Sequence, residues 1–161
     1  MSGATENALV IAGEFLNRAP VDVEAMAEAL GLTVNMNAPM PPNLSGSIRR
    51  GGNGRAGYRI EVNGSHSPNR KRFTLAHEIA HFILHRDLIG NGIEDNAMYR
   101  SGLSEPVEIE ANRMAAQILM PTALVRDVYK AGLRYIGGLS SAFGVSEEAM
   151  RIRLEQLRLA P

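Results

Sequence analysis

From Ala4 to Leu30 the apolar positions recur at helical spacing with one interruption at Ala19-Pro20. Two short helices are therefore predicted, the second opened by Pro20 and Asp22 and closed by Gly31. The pattern then changes character. The run LTVNM at 32–36 and a Pro-rich bend at 39–42 lead into SGSIRR, GGNG and RAGYRIEVN, two extended runs around a Gly-Asn turn. This predicts a β-hairpin. In its second run Tyr58, Ile60 and Val62 share one face while Arg59, Glu61 and Asn63 share the other, so the sheet buries one side. Ser67 and Pro68 supply an N-cap and first turn for a helix running to about His85. Residues 86–104 are polar, Gly-containing and aperiodic, which predicts a long loop of the kind that carries function. Pro106 opens another helix that reaches Met120, where Pro121 stops it. Two or three further helices fill the remainder, with breaks at Gly132, Gly137-Gly138 and Gly144.

A chain of 161 residues suits one domain with its own core. The expected architecture is a single α+β domain. N-terminal helices occupy 1–31, a small twisted sheet and the chemistry-bearing helices 32–121, and a helical part 122–161. Apolar residues make up 45% and charged residues 21% of the chain, a globular balance that excludes disordered and fibrous classes. Aromatics are only 5%, so the core rests on aliphatic residues and eight Met, a filling suited to packed helices. Lys plus Arg equals Asp plus Glu, so no global field draws the chain to nucleic acid or to an anionic membrane. The first residues lack a basic region and their apolar run is broken by Gly13 and Glu14. Neither a signal peptide nor a membrane span is expected, and a cytoplasmic location is the default. The absence of Cys removes disulfides, thiolate nucleophiles and Cys-ligated metal, which leaves His and carboxylates as the candidate ligands.

The helix after Pro68 contains His77-Glu78-Ile79-Ala80-His81, an HExxH sequence. Residues four apart share a helix face, so both imidazoles can reach one cation while Glu78 stands beside them. A metal such as Zn2+ brings the pKa of water near neutrality, and an adjacent carboxylate can take its proton and pass it to a leaving amine. Glu78 suits that base role. The flanking Ile79, Ala80, Phe82, Ile83 and Leu84 make the helix apolar nearly all round, and buried imidazoles need partners that a metal supplies.

Catalytic zinc takes a third protein ligand. Position 84 is Leu and position 87 is Asp, so no third His follows at the spacing of the extended HExxHxxGxxH motif. The helix after Pro106 offers Glu108 and Glu110, which face about 200° apart, so one of them points inward. Glu108 shares its face with Ala111, Asn112, Ala115 and Leu119, residues suited to close helix packing, and is the expected ligand. Glu110 lies with Arg113, Met114 and Gln117. It is the alternative ligand, otherwise an exposed charge favoured near a helix N-terminus. Asn112 is expected to orient a ligating imidazole. Three ligands on successive turns would fan away from one ion, so His85 is expected to support the ligands or cap the helix. Tyr99, Arg100 and His66 are candidate donors to a transition-state oxyanion.

The stretches RKRFTLAHEIAHFILH at 70–85 and VEIEANRMAAQILMP at 107–121, with IEVN at 60–63 before them, resemble the signature segments of the ImmA/IrrE family of metallo-endopeptidases. The similarity covers roughly residues 44–121. One departure is Met114, where the family usually has Phe. The resemblance implies a compact gluzincin-like core with His77, His81 and the Glu of the second segment on Zn2+ and Glu78 as general base. It also implies a helix-turn-helix repressor as the protein substrate, and the gluzincin likeness favours the strand 56–62 as an edge that pairs with an extended peptide, the alternative being an ordinary strand within the sheet.

Residues 139–157 have a helix-turn-helix cadence, with Gly144 in the turn, Ser146 as N-cap and Arg151 and Arg153 beyond it. Glu147, Glu148 and Glu155 cancel most of that positive charge, so a helical hairpin packed on the core is favoured over direct nucleic-acid contact. The alternative to a peptidase is a zinc-containing regulatory or binding protein, a toxin–antitoxin component or transcriptional regulator, that sequesters its partner without turnover.

Overall fold

The computed structural model describes residues 3–90, 92–96 and 104–160. Two helices lead, α1 (Gly3–Gly13) and α2 (Val23–Ala29). The Asp22 carboxylate accepts the Ala25 amide N–H at 3.0 Å and so caps α2. Strands β1 (Thr33–Ala38), β2 (Leu44–Arg50) and β3 (Tyr58–Asn63) precede α3 (Pro68–Leu84). The short helix α4 (Arg86–Ile89) and strand β4 (Gly92–Asn96) follow, then α5 (Glu105–Leu119), α6 (Thr122–Lys130), α7 (Ile136–Phe143) and α8 (Glu147–Gln156). The architecture is α+β, with helices around one four-stranded sheet.

The sheet order is β1-β3-β2-β4. The expected hairpin is the antiparallel β2–β3 pair, with Ile48 opposite Ile60. Two features depart from the sequence pattern. First, β3 is an inner strand, because β1 pairs with it in parallel; the strand at 56–62 is therefore not a peptide-accepting edge, and β4 closes the sheet beside β2. Parallel partners are joined by long connections, so nothing local in the sequence announces them. Second, the stretch expected to be a loop contains α4 and β4. GIEDN has weak strand propensity, but Ile93 sits opposite Ile48 on β2 and both are buried, so pairing and burial override the local preference.

The inner face of the sheet packs Ile48, Ile60 and Val62 into one cluster with Leu75, Ile79, Phe82 and Ile83 of α3. Tyr58 meets Phe82 edge-on with ring centroids 5.6 Å apart, a preferred aromatic geometry. Thr5 on α1 donates to the Ile83 carbonyl at 3.3 Å. Helix α3 is thus held by the sheet on one side and by α1, α2 and α5 on others. Asn63, fully buried at the end of β3, donates to the carbonyls of Pro41 and Leu44 at 3.0 and 2.8 Å. This clasps the Pro-rich bend to the sheet.

The α7–α8 hairpin is built into the same body. Gly144 ends α7 in the left-handed region at φ +66°, the usual helix stop for a residue without Cβ. Arg72 of α3 donates to the carbonyls of Gly144 and Phe143 at 3.1 and 3.3 Å, and Asn69 donates to that of Val145 at 3.2 Å. From the other side Arg153 of α8 is buried and donates to the Met120 carbonyl at 2.9 Å and to Thr122 Oγ1 at 3.0 Å. Burial lowers the Arg153 pKa from its ordinary value, and the nearby Arg126 charge adds to that. Of the two arginines that gave the second helix a basic look, one therefore ties α8 to the α5–α6 junction. Among the described residues no helix is long and apolar enough to cross a membrane.

Candidate metal centre

Helices α3 and α5 bring the chemistry together. Ala76 and Ala80 on α3 and Ala111 and Ala115 on α5 are fully buried, and side chains this small let two helices approach closely. At that contact His77, His81 and Glu108 converge, with relative exposures of 2%, 0% and 5%. His77 Nε2 lies 3.2 Å from Glu108 Oε2, and His81 Nε2 lies 3.0 Å from Glu108 Oε1. The two imidazoles stand edge to face with centroids 4.6 Å apart. One ligand atom from each of the three residues lies within 4.8 Å of the others.

This donor set fits a borderline divalent cation. Ligands about 2.0–2.1 Å from a tetrahedral Zn2+ sit about 3.3 Å from one another, and two imidazole nitrogens with a carboxylate form a familiar zinc set. The measured separations match that spacing. Burial acts to raise the Glu108 pKa, but hydrogen bonds from His77 and His81, and then their charge, outweigh it and hold the carboxyl far below its ordinary range. Glu108 therefore presents a carboxylate, which is the state a metal ligand needs.

Glu78 occupies the same turn of α3 and is fully buried against β2. Next to it, α3 approaches β2 closely at Gly46. A Cβ placed there would lie 2.6 Å from Thr74 Cγ2, 2.8 Å from the Glu61 carbonyl and 3.5 Å from Glu78 Oε2. Gly46 is therefore a packing requirement of the site that the sequence pattern did not single out. Phe73, one turn before His77, stacks on its ring with centroids 6.5 Å apart.

The other expected site residues fall into several places. His85 is buried at the end of α3, with Nδ1 3.0 Å from His81 Nδ1 and Nε2 3.3 Å from Glu110 Oε1. Burial lowers the His85 pKa below its ordinary value, against the opposing hydrogen bond to Glu110. Glu110, expected as the alternative ligand, is exposed and faces His85 rather than the cluster. Asn112 Oδ1 is buried with no hydrogen-bond partner among the described residues. His66 sits at 3.1 Å from the Pro42 carbonyl and 3.3 Å from Asn63 Nδ2. Its contacts are thus with the Pro-rich bend, and His77 follows Ser67 ten positions along the chain, on the order of 15 Å of helix axis. Tyr99 and Arg100 lie outside the described residues. Met114, the departure from the family pattern, packs partly buried against the core.

The surface is hollow where α8 meets α3 and α5, and His77, Glu78, His81 and Glu108 do not line these hollows. One cavity of about 580 Å³ is lined by Ser45, Asn69, Phe73, Thr74, Val145 and Ile152 among others. A second of about 320 Å³ shares Phe73, Ala149 and Ile152 and reaches Ile109, Asn112 and Arg113. Ile109 and Ile152 are 46% and 49% exposed. A groove of mixed apolar and polar lining thus runs along α8, with Phe73 one helical turn from His77 and Ile109 next to Glu108 in the chain.

A family model described as Peptidase_M78, IrrE N-terminal-like domain, matches residues 27–155. No curated protein matches the chain significantly. Among solved structures, a Mycobacterium tuberculosis transcriptional regulator is similar with a TM-score of 0.54 at 20% identity. The likeness covers 94% of this chain and 46% of that one, so the chain spans about half the regulator's length. At this identity the likeness concerns the fold.

Proposed function

Starting from the fact that this chain belongs to the Peptidase_M78 family of IrrE N-terminal-like domains, we propose that it is a zinc-dependent endopeptidase acting on a protein partner. The observation that carries this reading is the convergence of His77, His81 and Glu108 in one buried cluster beside Glu78. In it His77, His81 and Glu108 hold Zn2+. The ion supplies Lewis acidity toward a scissile carbonyl and a water. Glu78 takes the proton from the attacking water on its carboxylate and delivers it to the departing amine nitrogen. Its full burial on α3, beside β2, limits the directions that carboxylate can take. The groove along Phe73, Ala149 and Ile152 offers apolar surface to the side chains flanking the scissile bond. The proposed substrate is a helix-turn-helix repressor, the partner implied by the family resemblance, and the proposed site of action is the cytoplasm.

The test is incubation of the zinc-loaded protein with the product of a neighbouring repressor-like gene, with fragments read by mass spectrometry. Native protein should yield one defined cut. Glu78→Gln should keep the metal and lose cleavage, and a variant that cuts at the native rate removes Glu78 from the base role. A second reading draws on the fold shared with a transcriptional regulator and on the full burial of Glu78: a zinc-holding regulatory protein that sequesters its partner. Under it native protein and Glu78→Gln bind the repressor equally and neither cuts it.

A further inference from the structure

His81 and His85 face each other through the same ring atom. Their Nδ1 nitrogens are 3.0 Å apart, and of two nitrogens at that distance one donates and the other accepts. The direction is set at the far end. A Glu110 carboxylate oxygen lies 3.3 Å from His85 Nε2, and an ionised carboxylate can only accept. The His85 proton therefore sits on Nε2. Its Nδ1 then carries the lone pair, so His81 must donate from Nδ1. A neutral His81 with its proton on Nδ1 keeps the lone pair on Nε2, the atom that faces Glu108 at 3.0 Å. In that tautomer His81 gives up its hydrogen bond to Glu108, and Nε2 and the carboxylate both turn lone pairs toward a shared cation.

We propose that Glu110, acting through His85, fixes the tautomer and ring orientation of His81 and so prepares the metal centre. The inference rests on the metal-binding reading above and assigns Glu110 and His85 as positioning residues. Carboxylates that orient a ligating imidazole typically strengthen metal binding by about 10–100-fold. Here a second imidazole carries the effect across the α3–α5 contact, because Glu110 lies on the exposed flank of α5 and cannot reach His81 directly. His85 is buried and also donates its backbone N–H to the His81 carbonyl at 2.8 Å. The relay is thereby held at the backbone as well as at the rings.

The experiment measures Zn2+ affinity by competition with a chromophoric chelator for native protein, His77→Ala, Glu110→Ala, Glu110→Gln and His85→Leu. Long-range 15N NMR of the zinc-loaded proteins reads the His81 and His85 tautomers. Glu110→Ala should bind about 10-fold more weakly and lose the single Nε2–H tautomer at His85. Glu110→Gln, whose carbonyl still accepts, should stay within about 3-fold of native, and His85→Leu should lose about 10–100-fold. Glu110 is exposed, so Glu110→Ala should melt with the native protein and separate positioning from misfolding. Native affinity and tautomers in Glu110→Ala, alongside lost binding in His77→Ala, overturn the relay and leave the metal centre standing. Native protein that binds zinc no better than His77→Ala overturns both.

Discussion

Replacing Gly46 by Ala adds one methyl at the point where β2, α3 and Glu78 meet. The added carbon would lie 2.6 Å from Thr74 Cγ2, nearly 1 Å inside the roughly 3.5 Å of carbon–carbon contact. It would also lie 2.8 Å from the Glu61 carbonyl, a backbone atom fixed by the β2–β3 ladder. Thr74 is buried and β-branched, so its methyl has few alternative positions. Overpacking of this kind costs about 1–3 kcal/mol, and an off-rotamer Thr74 adds about 0.5–1.5 kcal/mol. The lower entropy of the unfolded Ala chain offsets about 0.4–1 kcal/mol. A net loss of about 2 kcal/mol follows, or about 4–8 °C in melting temperature for a chain of this size. Because the strain is relieved by parting α3 from β2, cleavage of the repressor should fall further than stability explains. The control is Gly13→Ala, where an added Cβ meets nothing within 4 Å and stability should rise by about 0.5–1 kcal/mol. Urea unfolding and the mass-spectrometric cleavage assay report the two effects. If Gly46→Ala unfolds at the native midpoint and cuts at the native rate, the close approach of Glu78 to β2 plays no part in the site.

Metal linkage gives a second measurement. Zn2+ at 100 times its dissociation constant should stabilise the native protein by about 2.7 kcal/mol, a rise of about 5–11 °C by scanning calorimetry. Chelation should reverse it, and His77→Ala should show no rise; an equal rise in that variant would place the ion elsewhere. Arg153→Leu leaves the buried Met120 carbonyl without its donor and should cost about 1–3 kcal/mol. The neighbouring exposed Arg151→Ala should stay within about 0.5 kcal/mol, and similar unfolding midpoints for the two would contradict the anchoring of α8. Ile152→Asp places a charge in the groove at a half-exposed position. It should leave the melting temperature nearly unchanged and raise KM severalfold for the repressor; an unaltered KM would remove the groove from substrate binding.

The elements that depend on local signals were legible in the sequence. The HExxH helix with its Ser67 cap and Pro68, the hairpin with Tyr58, Ile60 and Val62 on its buried side, and the helix that carries Glu108 follow from periodicity and end signals a few residues long. The spacing of His77 and His81 put both on one face, and the small residues beside Glu108 distinguished it from Glu110. What escaped the pattern depends on partners far along the chain. The parallel docking of β1 that makes β3 an inner strand joins segments about 25 residues apart, and β4 exists because β2 offers it an edge and a buried neighbour for Ile93. Gly46 reads as one more turn-prone glycine until α3 is laid across it, and Glu110 as a surface charge until His85 is placed beneath it. Periodicity records which side of an element is buried, but the atom across the interface is chosen only when the elements pack.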